Sequence, residues 1–209
     1  MKPQKKFFLL GLFLFAIFIV FSFLIRQTHF THTDFNVTVT LQNHIPRIFD
    51  TTFSVLSLLG SLEVVTLILL VLFYLRHKLM AFFVLFFFCF AHILEIVGKA
   101  FVMHPGPPFS FLRYDIPYNF PSSSLNPGYS YPSGHLLRTA FLSVIFTFVV
   151  YNSKNLSKVQ KLLLYCLTII IAAAMFVSRI YLGEHWLSDV IGGSLLGGSL
   201  GVLSLIFFI

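Results

Sequence analysis

Charged side chains are scarce in this chain of 209 residues. They make up 10% of the sequence, with seven acidic residues against 14 Lys and Arg. Soluble domains contain about 25% charged residues, so this composition excludes a water-soluble globular protein. The formal net charge of +7 does not indicate a nucleic-acid partner, because the basic residues are spread between hydrophobic stretches and form no single charged face.

Cysteine is also rare, and this excludes a second group of functions. Cys89 and Cys166 both lie inside apolar runs, where cysteine usually behaves as a small hydrophobic side chain. The sequence therefore predicts neither a disulfide framework nor a cysteine metal site. The histidines follow no metal-ligand spacing, which disfavours a histidine-lined metal transporter.

Hydrophobic residues make up 57% of the chain, and its mean hydropathy is +0.91. A helix needs about 20 apolar residues to cross a bilayer. Six segments approach this length: 7–25, 52–75, 79–103, 135–151, 161–179 and 187–209. We therefore predict an all-α membrane protein, a six-transmembrane-helix bundle formed by one domain over 1–209. The first segment is too long for a signal peptide and is expected to be retained.

The distribution of Lys and Arg predicts the orientation, because positively charged loops stay on the cytoplasmic side. One side of the bundle collects basic residues without acidic ones: Lys2, Lys5, Lys6, Arg76, Lys78, Lys154, Lys158 and Lys161. Both termini are therefore predicted to be cytoplasmic. The loops 26–51, 104–134 and 180–186 then lie together on the outer face, where they can form a site.

The loop 104–134 is rich in proline and aromatic residues, so it is expected to be irregular yet apolar. Aromatic side chains at the headgroup level anchor proteins in the membrane interface. Long loops also serve as lids over binding sites. An interfacial anchor and a lid over a lipid substrate are both consistent with this composition.

A histidine and an aspartate lie between the fifth and sixth predicted helices. If the sixth helix begins near His185, Asp189 lies one turn further, with its side chain about 6 Å away on the same face. A carboxylate that holds one ring nitrogen as N–H leaves the other unprotonated, as a histidine nucleophile or base requires. Such pairs are also common as structural hydrogen bonds, so this pair alone is weak evidence of catalysis.

Two further groups are predicted at the same depth. Ser133, Gly134 and His135 open the fourth helix, whose free backbone N–H groups favour an anion. The alternative is an ordinary helix start capped by Ser133. At the end of the third helix, Lys99 follows Glu95 by four residues, which allows an ion pair between them.

Together with Arg179, these residues suit a tetrahedral dianion. Lys99 and Arg179 would neutralise its charge, and backbone amides at the helix start would bind further oxygens. The two histidines, His135 and His185, also suit such an anion. Phosphoryl transfer is the chemistry that this combination indicates.

These residues resemble the signature of the type 2 phosphatidic acid phosphatase superfamily, which includes lipid phosphate phosphatases and soluble vanadium haloperoxidases. Its second motif, Pro-Ser-Gly-His, is complete at residues 132–135. Its third motif, Ser-Arg-x5-His-x3-Asp, is complete at Ser178, Arg179, His185 and Asp189. The predicted six helices are similar to the membrane branch of the family, so the resemblance covers nearly the whole chain.

The first motif of that signature, Lys-x6-Arg-Pro, is incomplete. Lys99 and Pro107 match it, but Gly106 stands at the arginine position. In the family this arginine helps to hold the phosphate. Three side chains are candidates to replace it: Arg138, His104 and Arg113. Arg138 ranks first because it follows His135 by about one turn on the same helix face.

The resemblance implies a membrane lipid phosphatase that works without metal or organic cofactor. His185 is the implied nucleophile, Asp189 orients it, and His135 protonates the leaving group. The phosphate-binding residues are then Lys99, Arg179, Ser133 and Gly134, with Arg138 and His104 as candidates. The implied substrates are phosphatidic acid, phosphatidylglycerol phosphate or an isoprenyl diphosphate, in a bacterial cytoplasmic membrane with the active site on the outer face.

Two alternatives share this fold. A phosphotransferase would pass the phosphate to another acceptor, because a phosphohistidine does not dictate what attacks it. A non-catalytic protein would bind or move a lipid phosphate, an interpretation that the missing arginine at position 106 makes less remote. The presence of every proposed proton-transfer residue favours the enzyme.

Overall fold

The computed structural model describes residues 2–74, 78–118, 120 and 128–208, and within them all regular secondary structure is helical. Its α-helices are α1 (Pro3–Arg26), α2 (Thr31–His44), α3 (Asp50–Leu58), α4 (Leu62–Tyr74), α5 (Lys78–Val102), α6 (Gly134–Asn152), α7 (Lys158–Tyr181) and α8 (Leu187–Ser204). Short 3-10 turns cover Arg47–Phe49, Phe109–Phe111 and Leu205–Phe208. Arg76 and the predicted span ends at 75 and 209 lie outside the described residues.

In the described residues, five helices are long and apolar enough to cross a membrane: Pro3–Arg26, Phe82–Val102, Gly134–Asn152, Lys158–Tyr181 and Leu187–Phe207. They coincide with five of the six predicted spans. A sixth span results if Arg47–Leu58 and Leu62–Leu72, which are bent by 47° against each other, count as one. The chain is therefore an integral membrane protein.

The predicted continuous helix over 52–75 is wrong, because the structure breaks it between α3 and α4. Gly60 and Ser61 lie in the break, and glycine weakens helices. The Gly60 carbonyl accepts a hydrogen bond from Nε of Arg138 at 2.8 Å. The Ser61 hydroxyl accepts one from the Val64 N–H at 3.3 Å. These side-chain contacts satisfy backbone groups that a continuous helix would have paired.

The predicted loop over 26–51 is largely helical, since α2 occupies its centre. This segment escaped prediction because its residues are mostly polar and lack an apolar stripe. The residues that α2 buries are polar, Asp34 and Thr38. Nε2 of Gln42 also donates to the carbonyls of Phe111 at 2.7 Å and Tyr181 at 2.8 Å. Helix α2 thus attaches to the bundle through hydrogen bonds, and its partly buried Val37 and Leu41 also pack against a buried apolar cluster of the bundle.

Helix α8 packs most extensively against α6 and α1. Its contact with α6 depends on glycine: a Cβ on Gly193 or Gly197 would collide with the backbone carbonyl of Ser133 or Leu137. The two backbones therefore approach more closely than larger residues allow. This close packing brings the start of α6 next to the start of α8, where the candidate site lies.

Two adjacent glycines of α8 give a test of this packing. We expect Gly197→Ala to destabilise the protein by roughly 1–3 kcal/mol, because its Cβ meets the Leu137 carbonyl. Gly198→Ala is the matched control, since nothing described lies within 4 Å of a Cβ there. Because alanine is the better helix former, the control should be neutral or gain about 0.5–1 kcal/mol. Thermal unfolding in detergent measures both, and equal melting temperatures would contradict this account.

Candidate active site

The predicted site residues meet at one end of the bundle. Lys99 lies in the last turn of α5, Arg179 near the end of α7, and His185 just before α8. His135 lies in the first turn of α6, and the charges that act on it come from Arg179, Arg138, His185 and Lys99. Residues that are far apart in the sequence are therefore electrostatic neighbours.

A cavity of about 1080 Å³ lies at this end of the bundle. His135, His185, Lys99 and Arg138 line its polar part. Its apolar part continues along α4 and α5, where it is lined by Leu62, Thr66, Leu85, Phe88 and Ile96. A polar end with an apolar extension between membrane helices fits a molecule with a charged head and a hydrophobic chain.

The aromatic loop predicted over 104–134 forms part of the cavity wall. Its described residues that line the cavity include Pro107, Pro108, Phe109, Leu112, Tyr114, Phe120 and Tyr129. Positions 119 and 121–127 lie outside the described residues. The loop therefore borders the binding space, as a lid or wall over a substrate requires.

The predicted contact between His185 and Asp189 is confirmed. Nδ1 of His185 lies 3.5 Å from Oδ2 of Asp189, whose side chain is fully buried. The same oxygen accepts a hydrogen bond from the backbone N–H of Trp186 at 2.9 Å. Nδ1 is buried and forms no hydrogen bond within the described residues, but it faces the carboxylate, where a ring proton on Nδ1 would leave the lone pair on Nε2. This is the arrangement that a histidine nucleophile needs.

The start of α6 differs from an ordinary capped helix. Ser133 occupies the cap position, but its buried hydroxyl has no hydrogen-bond partner among the described residues. At Gly134, a Cβ would meet Oε1 of Glu95 at 2.5 Å and Nη1 of Arg138 at 2.9 Å. Glycine is therefore needed at this position.

Arg179 is fully buried and only partly paired. Its Nη1 lies 2.5 Å from Oε2 of Glu184, and its Nε donates to the Ser178 hydroxyl at 3.4 Å. Its Nη2 has no partner in the described part of the chain. Buried polar atoms are nearly always hydrogen-bonded. Arg179 and Ser133 thus share a feature expected of groups that bind an anion.

Glu95 balances the remaining cations of the site. Its Oε1 lies 3.6 Å from Nζ of Lys99, which confirms the predicted pair. Its Oε2 lies 3.9 Å from Nη1 of Arg138. Lys99 also donates to the carbonyl of Pro132 at 3.2 Å. Arg138 thus reaches the cavity beside Lys99, as expected of a residue that replaces the missing arginine.

The other two candidates for that replacement lie elsewhere. Nδ1 of His104 lies 2.8 Å from Oδ1 of Asp189. Arg113 donates to the carbonyl of Gln42 at 3.0 Å and lies over the Tyr181 ring, 5.0 Å from its centroid. Unlike Arg138, neither is among the described residues that line the cavity.

Two acidic residues that contact this site were not predicted as part of it. Asp34 on α2 is buried and accepts two hydrogen bonds from Ser188, at 2.8 Å from its N–H and 2.7 Å from its hydroxyl. Glu184 pairs with Arg179. Glu184 lies inside the third motif and could have been considered as a partner for its arginine. Asp34 belongs to no motif, and the sequence carried no signal for its role.

Comparisons with known proteins identify a family and similar sequences. The family described as the PAP2 superfamily matches residues 79–208. Phosphatidylglycerophosphatase B of Bacillus subtilis (strain 168) is 41% identical over 70 residues, which are 33% of this chain and 34% of the relative. An undecaprenyl-diphosphatase of Sulfolobus acidocaldarius is 36% identical over 120 residues, 56% of this chain and 50% of the relative. The matches thus span half or less of the length of these curated relatives.

Two crystal structures share the fold. The transmembrane PAP2-type phosphatidylglycerolphosphate phosphatase from Bacillus subtilis superposes with a TM-score of 0.76 at 24% identity, covering 95% of each chain. LpxE of Aquifex aeolicus superposes with a TM-score of 0.61 at 21% identity, covering 83% of this chain and 94% of that one. At these identities, the likeness concerns the arrangement of the helices.

Proposed function

The chain belongs to the PAP2 superfamily, and we propose that it is a membrane lipid phosphatase with a phosphohistidine intermediate. The observation that carries the proposal is the pairing of His185 with Asp189 at 3.5 Å, on a cavity that His135 and Lys99 also line. In this proposal residues 1–209 form one domain, and α3 and α4 together make its sixth span. The lysines near the ends of the helices support cytoplasmic termini and a site on the outer face.

The reaction proceeds in two displacements. Nε2 of His185 attacks phosphorus, and the bond to the leaving oxygen breaks as His135 gives that oxygen a proton. Asp189 stabilises the positive charge that develops on the His185 ring. A water molecule then attacks the phosphohistidine and gives its proton to His135. This step frees His185 and releases inorganic phosphate.

The phosphate is held by cations and by the start of α6. Lys99 and Arg138, which line the cavity, neutralise its charge. Arg179 lies behind the cavity lining and donates a hydrogen bond to a phosphate oxygen from its unpartnered Nη2. The hydroxyl of Ser133 and the backbone N–H groups near Gly134 bind further oxygens. Glu95 and Glu184 serve as counterions of these cations in the absence of substrate.

The substrate is a lipid rather than a soluble phosphate ester. The cavity continues from the catalytic histidines along apolar side chains of α4 and α5, where an acyl or isoprenyl chain can lie. The names of the relatives suggest two chemical classes to test, a phosphatidylglycerol phosphate and an undecaprenyl diphosphate. Phosphatidic acid is the third candidate.

The decisive experiment measures phosphate release by purified protein from these lipids in the presence of a chelator. We expect release by the wild type and a loss of roughly a thousandfold or more in His185→Ala, because the nucleophile is removed. His44→Ala is the matched control, since His44 is exposed on α2 away from the cavity.

Each alternative predicts a different result. A phosphotransferase would form a phosphorylated acceptor in preference to free phosphate, which product analysis with added acceptors detects. A non-catalytic lipid-binding protein would bind the same lipids and release no phosphate. Unchanged release by His185→Ala would remove this residue from the mechanism.

The roles of the two histidines predict a bell-shaped dependence of kcat/KM on pH. Activity should fall in acid because protonated His185 cannot attack, and in alkali because deprotonated His135 cannot donate. Initial rates across the pH range measure both limbs. Constant activity across this range would contradict the assigned roles.

The proposal that Arg138 replaces the missing arginine can be tested by restoring an arginine at position 106. We expect Arg138→Gln to raise KM roughly tenfold, through loss of a charged hydrogen-bond donor. Gly106→Arg should reverse much of this rise. Gly106 lines the cavity, and a Cβ there would make one ordinary contact, with Cβ of Ser130 at 3.6 Å. Arg113→Gln is the control and should leave KM unchanged, whereas a rise there would favour Arg113 as the replacement.

A further inference from the structure

A second histidine binds the carboxylate that orients His185. Nδ1 of His104 lies 2.8 Å from Oδ1 of Asp189, whereas Oδ2 of Asp189 faces His185. An ionised carboxylate only accepts hydrogen bonds, so Nδ1 of His104 is the donor. Asp189 is therefore shared between two imidazoles, one on each oxygen.

A second carboxylate lies behind this histidine. Nε2 of His104 is 4.0 Å from Oδ2 of Asp34 on α2. Both oxygens of Asp34 accept hydrogen bonds from Ser188, the residue before Asp189, which is the arrangement of an ionised carboxylate. Asp34, His104, Asp189 and His185 thus form a row of alternating acidic and basic side chains that ends at the proposed nucleophile.

We propose that His104 and Asp34 are positioning residues that hold Asp189 in place and set how strongly it favours protonation of His185. This role rests on the proposed function, because it acts through the nucleophile of that reaction. Neither residue is among the described side chains that line the cavity, so neither is assigned a contact with substrate.

The electrostatics of the row determine the sign of each effect. Burial disfavours the charged form of His104, but its hydrogen bond to Asp189 and the charges of Asp189 and Asp34 outweigh burial, so its pKa lies above the ordinary value. These two carboxylates are the charged groups that act on His104, from α8 and α2. Below its raised pKa His104 is positively charged.

A positive charge on His104 opposes a second positive charge on His185. Removing the charge on His104 should make His185 easier to protonate, so the acidic limb of the activity profile moves to higher pH. Removing the negative charge of Asp34 has the opposite effect, because the row becomes more positive, and the limb moves to lower pH. Opposite shifts from two neighbouring substitutions are not expected if both residues only support the fold.

His104→Asn and Asp34→Asn are suitable variants because each retains hydrogen bonding. The amide nitrogen of Asn can replace Nδ1 of His104 as donor to Asp189, and an amide at position 34 can bond both groups of Ser188. We expect the acidic limb to move up by about 0.5–1 pH unit in His104→Asn and down by a smaller amount in Asp34→Asn. KM should change less than twofold in both variants.

His104→Ala tests the hydrogen bond itself. It leaves Oδ1 of Asp189 without this donor, so kcat should fall roughly tenfold, and His104→Asn should restore most of it at the pH optimum. If His104→Ala does not fold, the comparison of the two Asn variants still decides the proposal. His44→Asn and Asp115→Asn make the same chemical changes at exposed positions and should leave the limb in place.

The proposal is overturned if the acidic limb of the pH profile stays in place in both Asn variants, or if it shifts in the same direction in both. A raised KM with an unmoved limb in His104→Asn would also overturn it, and would instead assign His104 to phosphate binding. These outcomes differ from a failure of the proposed function. That failure appears in the wild type as absent phosphate release, or as release that does not depend on His185.

Discussion

The end of the bundle that holds the candidate site is organised around one buried charge. The side chain of Asp189 has no exposed surface, and a buried carboxylate is strongly destabilising unless donors surround it. Hydrogen bonds come from the backbone of Trp186 and from His104, and the ring of His185 lies 3.5 Å away. The backbone carbonyl of Asp189 also accepts the N–H of Ser133 at 2.9 Å. The carboxylate of Asp189 therefore joins α8 to the segment after α5 and lies beside His185, while the backbone carbonyl of the same residue joins α8 to the start of α6.

The cations of the site face a related constraint. Arg179 and Arg138 are buried, and each lies near a carboxylate, Glu184 or Glu95. The pairing is incomplete, because Nη2 of Arg179 has no partner among the described residues. A site with its cations only partly neutralised gains more from binding a dianion than one whose charges are fully paired. The proposed phosphate would complete a charge balance that the protein leaves open.

The features that could be predicted from the sequence each have a signal within a short segment of it. Long apolar runs predicted five of the membrane spans, and the spacing of His185 and Asp189 predicted the contact between them. Helix α2 carried no such signal, because its buried residues are polar and its hydrogen bonds reach residues distant in sequence. The break near Gly60 was missed for the same reason, since the side chain that binds its carbonyl belongs to α6.

The sequence by itself determined that the chain enters a membrane and which residues are candidates for phosphoryl chemistry, because hydropathy and motif spacing are properties of short segments. Only the tertiary structure decided how those residues share their partners. It placed Arg138 on the cavity beside Lys99, and it placed His104 against Asp189 with Asp34 behind it. Such contacts join side chains from separate helices. Their identity depends on which helix faces pack together, and no local pattern encodes that choice.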